Sequence, residues 1–126
     1  MAIKKPNYWL VGASWDGEDL TAKFTKNYYW EMGYHDTAKP DFAALRDRMR
    51  AGDRIAIKSR CGQGSDKVRI KALGVVIGRE KKEDGKVFVD WKVTGMDRLV
   101  DAHGWFATIH GPYRPDDDWV KEVFFL

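Results

Sequence analysis

Val68-Arg69-Ile70-Lys71-Ala72-Leu73-Gly74-Val75-Val76-Ile77-Gly78 is the stretch on which the fold turns. In its first half Val68, Ile70 and Ala72 alternate with Arg69 and Lys71, as in a strand with one apolar and one wet face. From Leu73 onward the run is apolar without alternation. Gly74 stands where the pattern changes, and a glycine inside a strand permits a bulge or tight curvature. The reading is one long, bent strand.

Working outward, Glu80 to Lys86 is a charged turn carrying Asp84-Gly85, and Val87-Phe88-Val89-Asp90-Trp91-Lys92-Val93 is the returning strand of a hairpin. Upstream lies a polar loop, Ser59 to Asp66, with Gly62 and Gly64. Before it, Arg54-Ile55-Ala56-Ile57-Lys58 alternates with Ile55 and Ile57 inward. Pro40 suits the first residue of a helix, because its missing N–H costs nothing there. That helix sets Phe42, Leu45 and Met49 on one face, turns Arg46, Asp47 and Arg50 to water, and stops at Gly52.

Tyr8-Trp9-Leu10-Val11-Gly12-Ala13-Ser14 has almost no polar residue and reads as a central strand buried on both faces. Glu18 to Lys26 predicts a short helix, with acids at its start and lysines near its end to suit its dipole. Tyr28 to Met32 is expected extended, as is Trp105 to Ile109. Pro115-Asp116-Asp117-Asp118 resembles the acidic start of a short helix or turn. Short strands with inserted helices, and no linker or repeat, predict one α+β domain over residues 1–126, a small curved β-barrel with short helices at its rim.

The chain has 126 residues, 44% hydrophobic and 33% charged, which excludes a wholly disordered polypeptide and fits a single core. No apolar run reaches bilayer length, and Met1 to Pro6 lacks the hydrophobic stretch of a signal peptide. A soluble, cytoplasmic protein without membrane contact is expected. The lone Cys61 forms no internal disulfide and founds no thiolate metal site. His35, His103 and His110 follow no metal-ligand spacing, and no nucleophile elbow or phosphate-cradling loop occurs. No catalytic residue, metal or cofactor is expected.

The aromatic fraction of 13%, with Trp 6, is high for a small core. Trp9, Trp91 and Trp119 lie at packing positions, whereas Trp15, Trp30 and Trp105 sit near element ends, where a ring can line a cavity. A base held outside its helix needs such rings to stack on, and polar groups for its edge. Ser14, Asp16, Asn27 and Ser59 are placed to supply the latter. The net charge of +3 hides an uneven distribution, with a basic middle (Arg46 to Arg69) against an acidic tail. Lys58, Arg60, Lys67 and Arg69, expected to be exposed on strands flanking the glycine loop, suit phosphates. An ordinary solvated basic face is the plain alternative.

Taken in order, Tyr8 to Ser14, Trp30, Leu45-Arg46-Asp47-Arg48-Met49-Arg50-Ala51-Gly52-Asp53-Arg54-Ile55-Ala56-Ile57, Ile70 to Val76 and Val87 to Val93 resemble the EVE domains of the PUA-like superfamily. The likeness runs through Val93, and the hydrophobic stretch opened by Gly52-Asp53 is its most specific part. The resemblance implies a PUA-like pseudobarrel, related to YTH and SRA-type readers of modified bases and similar to N-terminal modules of McrB-like restriction proteins. It implies a base pocket with Trp30 as its stacking ring, bordered by Ser14 and Trp15 just beyond the first strand and, opposite them, by the strand end and loop from Ser59 to Cys61; Asp16 joins them as a polar group at the strand end. YTH readers carry further aromatics before the last long strand; Glu80 to Lys86 has none, so either Trp15 or Trp105 supplies the missing wall or the pocket is open and takes something less hydrophobic than a methylated base. The function implied is a noncatalytic reader of a flipped-out modified base, in DNA rather than RNA, that targets a fused or associated NTPase or nuclease. A PUA-like RNA binder and a small-molecule or peptide-binding regulatory domain are the alternatives.

Overall fold

The sheet curls because its longest strand changes partners along its length. A computed structural model describes residues 5–62, 64–104 and 107–125. In chain order its elements are β1 (Tyr8–Gly12), β2 (Ser14–Trp15), β3 (Glu18–Asp19), α1 (Thr21–Asn27), β4 (Tyr29–Trp30), α2 (Pro40–Arg46), β5 (Arg54–Arg60), β6 (Lys67–Arg79), β7 (Val87–Val93), β8 (Arg98–Asp101), β9 (Ile109–Tyr113) and α3 (Asp118–Phe124). The chain is α+β, a curled half-barrel of mixed sheet with a few short helices. Its main sheet runs β4-β7-β6-β5-β1-β9, with β8 paired to β6.

One edge of β6 pairs with β5, while the other passes from β8, opposite Lys67 to Ile70, to β7, opposite Leu73 to Arg79. The register of β6 on β7 shifts between Leu73 and Gly74 and again between Val76 and Gly78. A β-carbon on Gly74 would stand 2.6 Å from Val89 Cγ1 and 2.8 Å from Trp91 Cε3, so the return strand closes in only because this position has no side chain. The bent strand expected from the sequence is present, and its hairpin closes on Asp84, at φ 56°, and Gly85.

β1 and β5 pair in parallel, Gly12 opposite Lys58, while every other pairing is antiparallel. Both strands are covered on both faces. Trp9, Val11, Ile55 and Ile57 join one core with Phe24, Trp30, Val76, Val89 and Trp91; Leu10 and Ala56 join the other with Val68, Ile70, Val100 and Val123. Strict alternation therefore sends neighbours in one strand to opposite cores. Among the described residues no helix is long and apolar enough to cross a membrane.

Four local readings need correction. Helix α2 ends at Arg46 and does not run on to Gly52, because the N–H groups of Arg48 and Met49 reach back only three residues, to the Leu45 and Arg46 carbonyls, in a tighter turn. Helix α1 starts at Thr21, not Glu18, because Glu18 and Asp19 pair back on Ser14 and Trp15. Asp19 then accepts hydrogen bonds from the N–H and hydroxyl of Thr21, at 2.9 and 2.6 Å. Arg46 does not face water: it is 2% exposed, and its guanidinium grips Asp36 with two bonds of 2.6 and 2.7 Å and also bonds Asp47. Strand β8 was not anticipated, since Arg98-Leu99-Val100-Asp101 is too short and too polar to stand out from sequence.

Candidate functional site

The parallel pairing brings the carboxyl ends of β1 and β5 side by side, and a cavity of about 550 Å³ opens there. That volume lies within the range of small-ligand sites. Gly12 to Asp16 form one wall, Lys58-Ser59-Arg60 the opposite wall, and Gly33-Tyr34 and Ala107-Thr108 complete the ring with Asp19 and Thr21. Thr108 is fixed by the chain itself, because the Gly12 N–H donates to its carbonyl at 2.8 Å.

Two segments expected to form a pocket, Ser14-Trp15-Asp16 and Ser59 with its neighbours, thus meet across one cavity although more than forty residues of sequence separate them. Ser14 and Asp16 are exposed and Trp15 and Ser59 partly buried. The Trp15 ring packs edge-on against Phe24, with centroids 6.1 Å apart, and lies so close to Gly33 that a β-carbon there would be 2.5 Å from its Nε1. Among the described residues its buried indole N–H has no hydrogen-bond partner, a costly arrangement. Trp15, Gly33 and Tyr34 also border a second cavity of about 290 Å³, so this wall is one layer thick.

Trp30 is placed otherwise than expected. It is fully buried at 0% exposure, outside the cavity lining, and its indole N–H donates to the Gly12 carbonyl at 2.8 Å. Its burial leaves no ring face open for stacking, and its place is behind the wall it supports. Trp105 lies outside the described residues. Asn27, at the end of α1, does not line the cavity.

The four basic residues expected to be exposed toward phosphate divide. Lys58 is buried at 6% exposure and donates to the Ala107 carbonyl at 2.7 Å. Burial, with Arg60 beside it, lowers its pKa to about 8. Arg60 is exposed on the cavity rim. Lys67 pairs with Asp101, and Arg69 bonds both oxygens of Asp97 at 2.9 and 3.0 Å. These last two do not line the cavity and are half matched by the acids of β8 and its approach.

Sequence reasoning missed Tyr34, Thr108 and His110. His110 Nε2 accepts the Ala107 N–H at 3.0 Å, and burial, with Lys58 nearby, drops its pKa to about 4, so the ring is neutral at pH 7. None of the three carries a local signal: backbone bonds to β1 place Thr108 and His110, and a bend after β4, closed by the Tyr34 N–H on the Met32 carbonyl at 2.6 Å, places Tyr34. Among the described residues no group of three His, Cys, Asp or Glu side chains is arranged to hold a metal ion.

No family model, curated protein or solved structure matches this chain. The cavity offers one indole wall, one phenol, hydroxyls at Ser14, Thr21, Ser59 and Thr108, the carboxylates of Asp16 and Asp19, the Arg60 guanidinium and a buried ammonium.

Proposed function

We propose that this protein is a noncatalytic reader that takes a modified base, flipped out of DNA, into the cavity at the ends of β1 and β5. The observation that carries this reading is the meeting of Ser14-Trp15-Asp16 with Lys58-Ser59-Arg60 around a single cavity of ligand size. Trp15 and Tyr34 offer flat surfaces, Ser14 and Ser59 offer donors and acceptors for a base edge, and Arg60 stands at the rim where a phosphate would follow. Trp30 supports the Gly12 wall and does not touch the base. The curled sheet is compatible with a PUA-like pseudobarrel, and the EVE-like order of motifs supports a role as the targeting module of a McrB-like restriction assembly.

The test compares oligonucleotides of equal length, modified and unmodified, at two salt concentrations, by fluorescence anisotropy. Preference for the modified strand that survives added salt is expected, and Trp15→Ala should weaken it about tenfold through lost stacking. Equal affinity for both, lost at high salt, would leave only phosphate attraction and reject base reading.

A small-molecule regulatory domain is the second reading, favoured by the pairing of Lys67 with Asp101 and Arg69 with Asp97, which reduces the positive surface open to a backbone. Binding of a free nucleoside as tight as binding of the oligonucleotide would select it.

A further inference from the structure

The cavity is asymmetric in charge. Its exposed carboxylates, Asp16 and Asp19, sit on the β2–β3 turn and strand, and Asp19 is already engaged by Thr21. Its buried charge is Lys58, only 6% exposed. An ammonium has three N–H donors. The Ala107 carbonyl takes one, and among the described residues no carboxylate pairs with Lys58. The other charged neighbour on the same strand is Arg60, of like sign, and the imidazole of His110 from β9 is neutral. A buried cation without a counter-charge is costly compared with an apolar side chain of similar length. What would repay it is a ligand atom with negative charge.

We propose, resting on the reader assignment of this cavity, that its ligand presents an anionic oxygen group, a carboxylate carried by the base, to Lys58 at the cavity floor. Such an oxygen takes the ammonium's remaining donors in charge-assisted bonds, and the Ser59 hydroxyl and Arg60 lie on the same wall. A methyl group in that place would leave those donors dry, which is the costlier outcome for a buried polar group. The floor therefore selects by charge while the Trp15 wall accepts any flat ring. Burial holds the free ammonium near its titration range, and an anion bound against it would draw its pKa upward.

The experiment titrates duplexes that carry one cytosine bearing hydrogen, methyl, hydroxymethyl or carboxylate on the same ring carbon, together with the free carboxylated nucleoside, into the wild type and Lys58→Met. The expected result is that the carboxylate duplex binds about tenfold tighter than the methyl duplex, and that this ratio shrinks to about twofold in Lys58→Met. A methyl duplex that binds as well as or better than the carboxylate, with both above the unmodified duplex, overturns the anionic ligand and leaves base reading in place. If no duplex is discriminated while the free carboxylated nucleoside binds in a Lys58-dependent way, DNA reading falls and the anion site stands. A ratio unchanged in folded Lys58→Met also overturns it. Should that variant not fold, the wild-type ranking of the four duplexes decides alone.

Discussion

The indole N–H of Trp9 donates to Oδ2 of Asp53 at 3.0 Å, across the parallel pair of β1 and β5. The same carboxylate, only 5% exposed, also accepts the backbone N–H groups of Asn7 and Arg50, each at 3.1 Å. Asp53 thus joins the entry to β1, the turn after α2 and the start of β5. The Gly52-Asp53 pair in the sequence thus marks a junction at which three segments are tied together. Asp53→Ala should lose about 3 kcal/mol or more, because three donors are left dry. Urea denaturation measures it, and a loss under about 1 kcal/mol would contradict the role.

Arg46 is the second buried anchor. Its bonds to Asp36 hold that carboxyl below the usual aspartate range, and Asp36 in turn raises the guanidinium pKa. Arg46→Ala should cost about 2 to 3 kcal/mol, less than a fully buried pair, since Asp36 is partly exposed. Arg46→Lys should recover little, because an ammonium cannot make the paired bonds of the guanidinium fork. A carboxyl with a depressed folded pKa gives stability that is complete above its unfolded value and lost as pH falls through the folded one. The acid limb of the stability curve should therefore flatten in Arg46→Ala, as read from denaturation midpoints between about pH 5 and pH 2.

Lys58 and His110 hold one residue, Ala107, Lys58 donating to its carbonyl and His110 accepting from its N–H, and both have depressed pKa values. For Lys58, the unfolded chain binds more protons than the folded one between about 8 and the ordinary value of 10.5, so stability should rise with pH across that window. For His110 the window runs from 6.5 down to about 4, and stability should fall as pH drops through it. Lys58→Met should abolish the alkaline rise and leave the acid fall. Chemical denaturation at stepped pH reads both limbs; an alkaline rise that persists in Lys58→Met would assign it elsewhere.

Two glycines test the site and the fold separately. A β-carbon on Gly33 would overlap the Trp15 ring, at 2.4 Å from Cδ1, and the ring has a cavity on either side into which to move. Gly33→Ala should weaken ligand binding more than it lowers the melting temperature. At Gly74 the obstructing atoms include the Asp90 carbonyl at 3.0 Å as well as Val89 and Trp91, so relief requires β7 to shift. Gly74→Ala should cost about 1 to 3 kcal/mol by overpacking. Thermal melts alongside titrations distinguish the two patterns.

The local grammar of the chain was largely legible. Pro40 opens α2, Asp84-Gly85 turns the β6–β7 hairpin, the unbroken apolar run of β1 is buried on both faces, and Gly74 marks the shift in β6. Each of these follows from forces acting within a few residues: a fixed φ, a positive φ, or an alternation that ends. The placement of Ser14 to Asp16 opposite Ser59 also emerged, through the order of motifs.

Local pattern along the chain therefore indicates most element types and the residues standing at strand ends, although it leaves out β8 and reads β3 as helix. Only the tertiary structure decided which side chains are buried there. Arg46 reads as a wet helix position on its own periodicity, yet Asp36, from the loop before the helix, folds over it. Lys58 reads as the polar end of an alternating strand, yet Thr108 and Ala107 are drawn across it by the β1–β9 pairing. Trp30 reads as a cavity ring, yet its N–H reaches Gly12 and its faces are enclosed. The physical reason is the same in all three. A side chain's exposure depends on what distant backbone passes over it, and periodicity within one element carries no record of that.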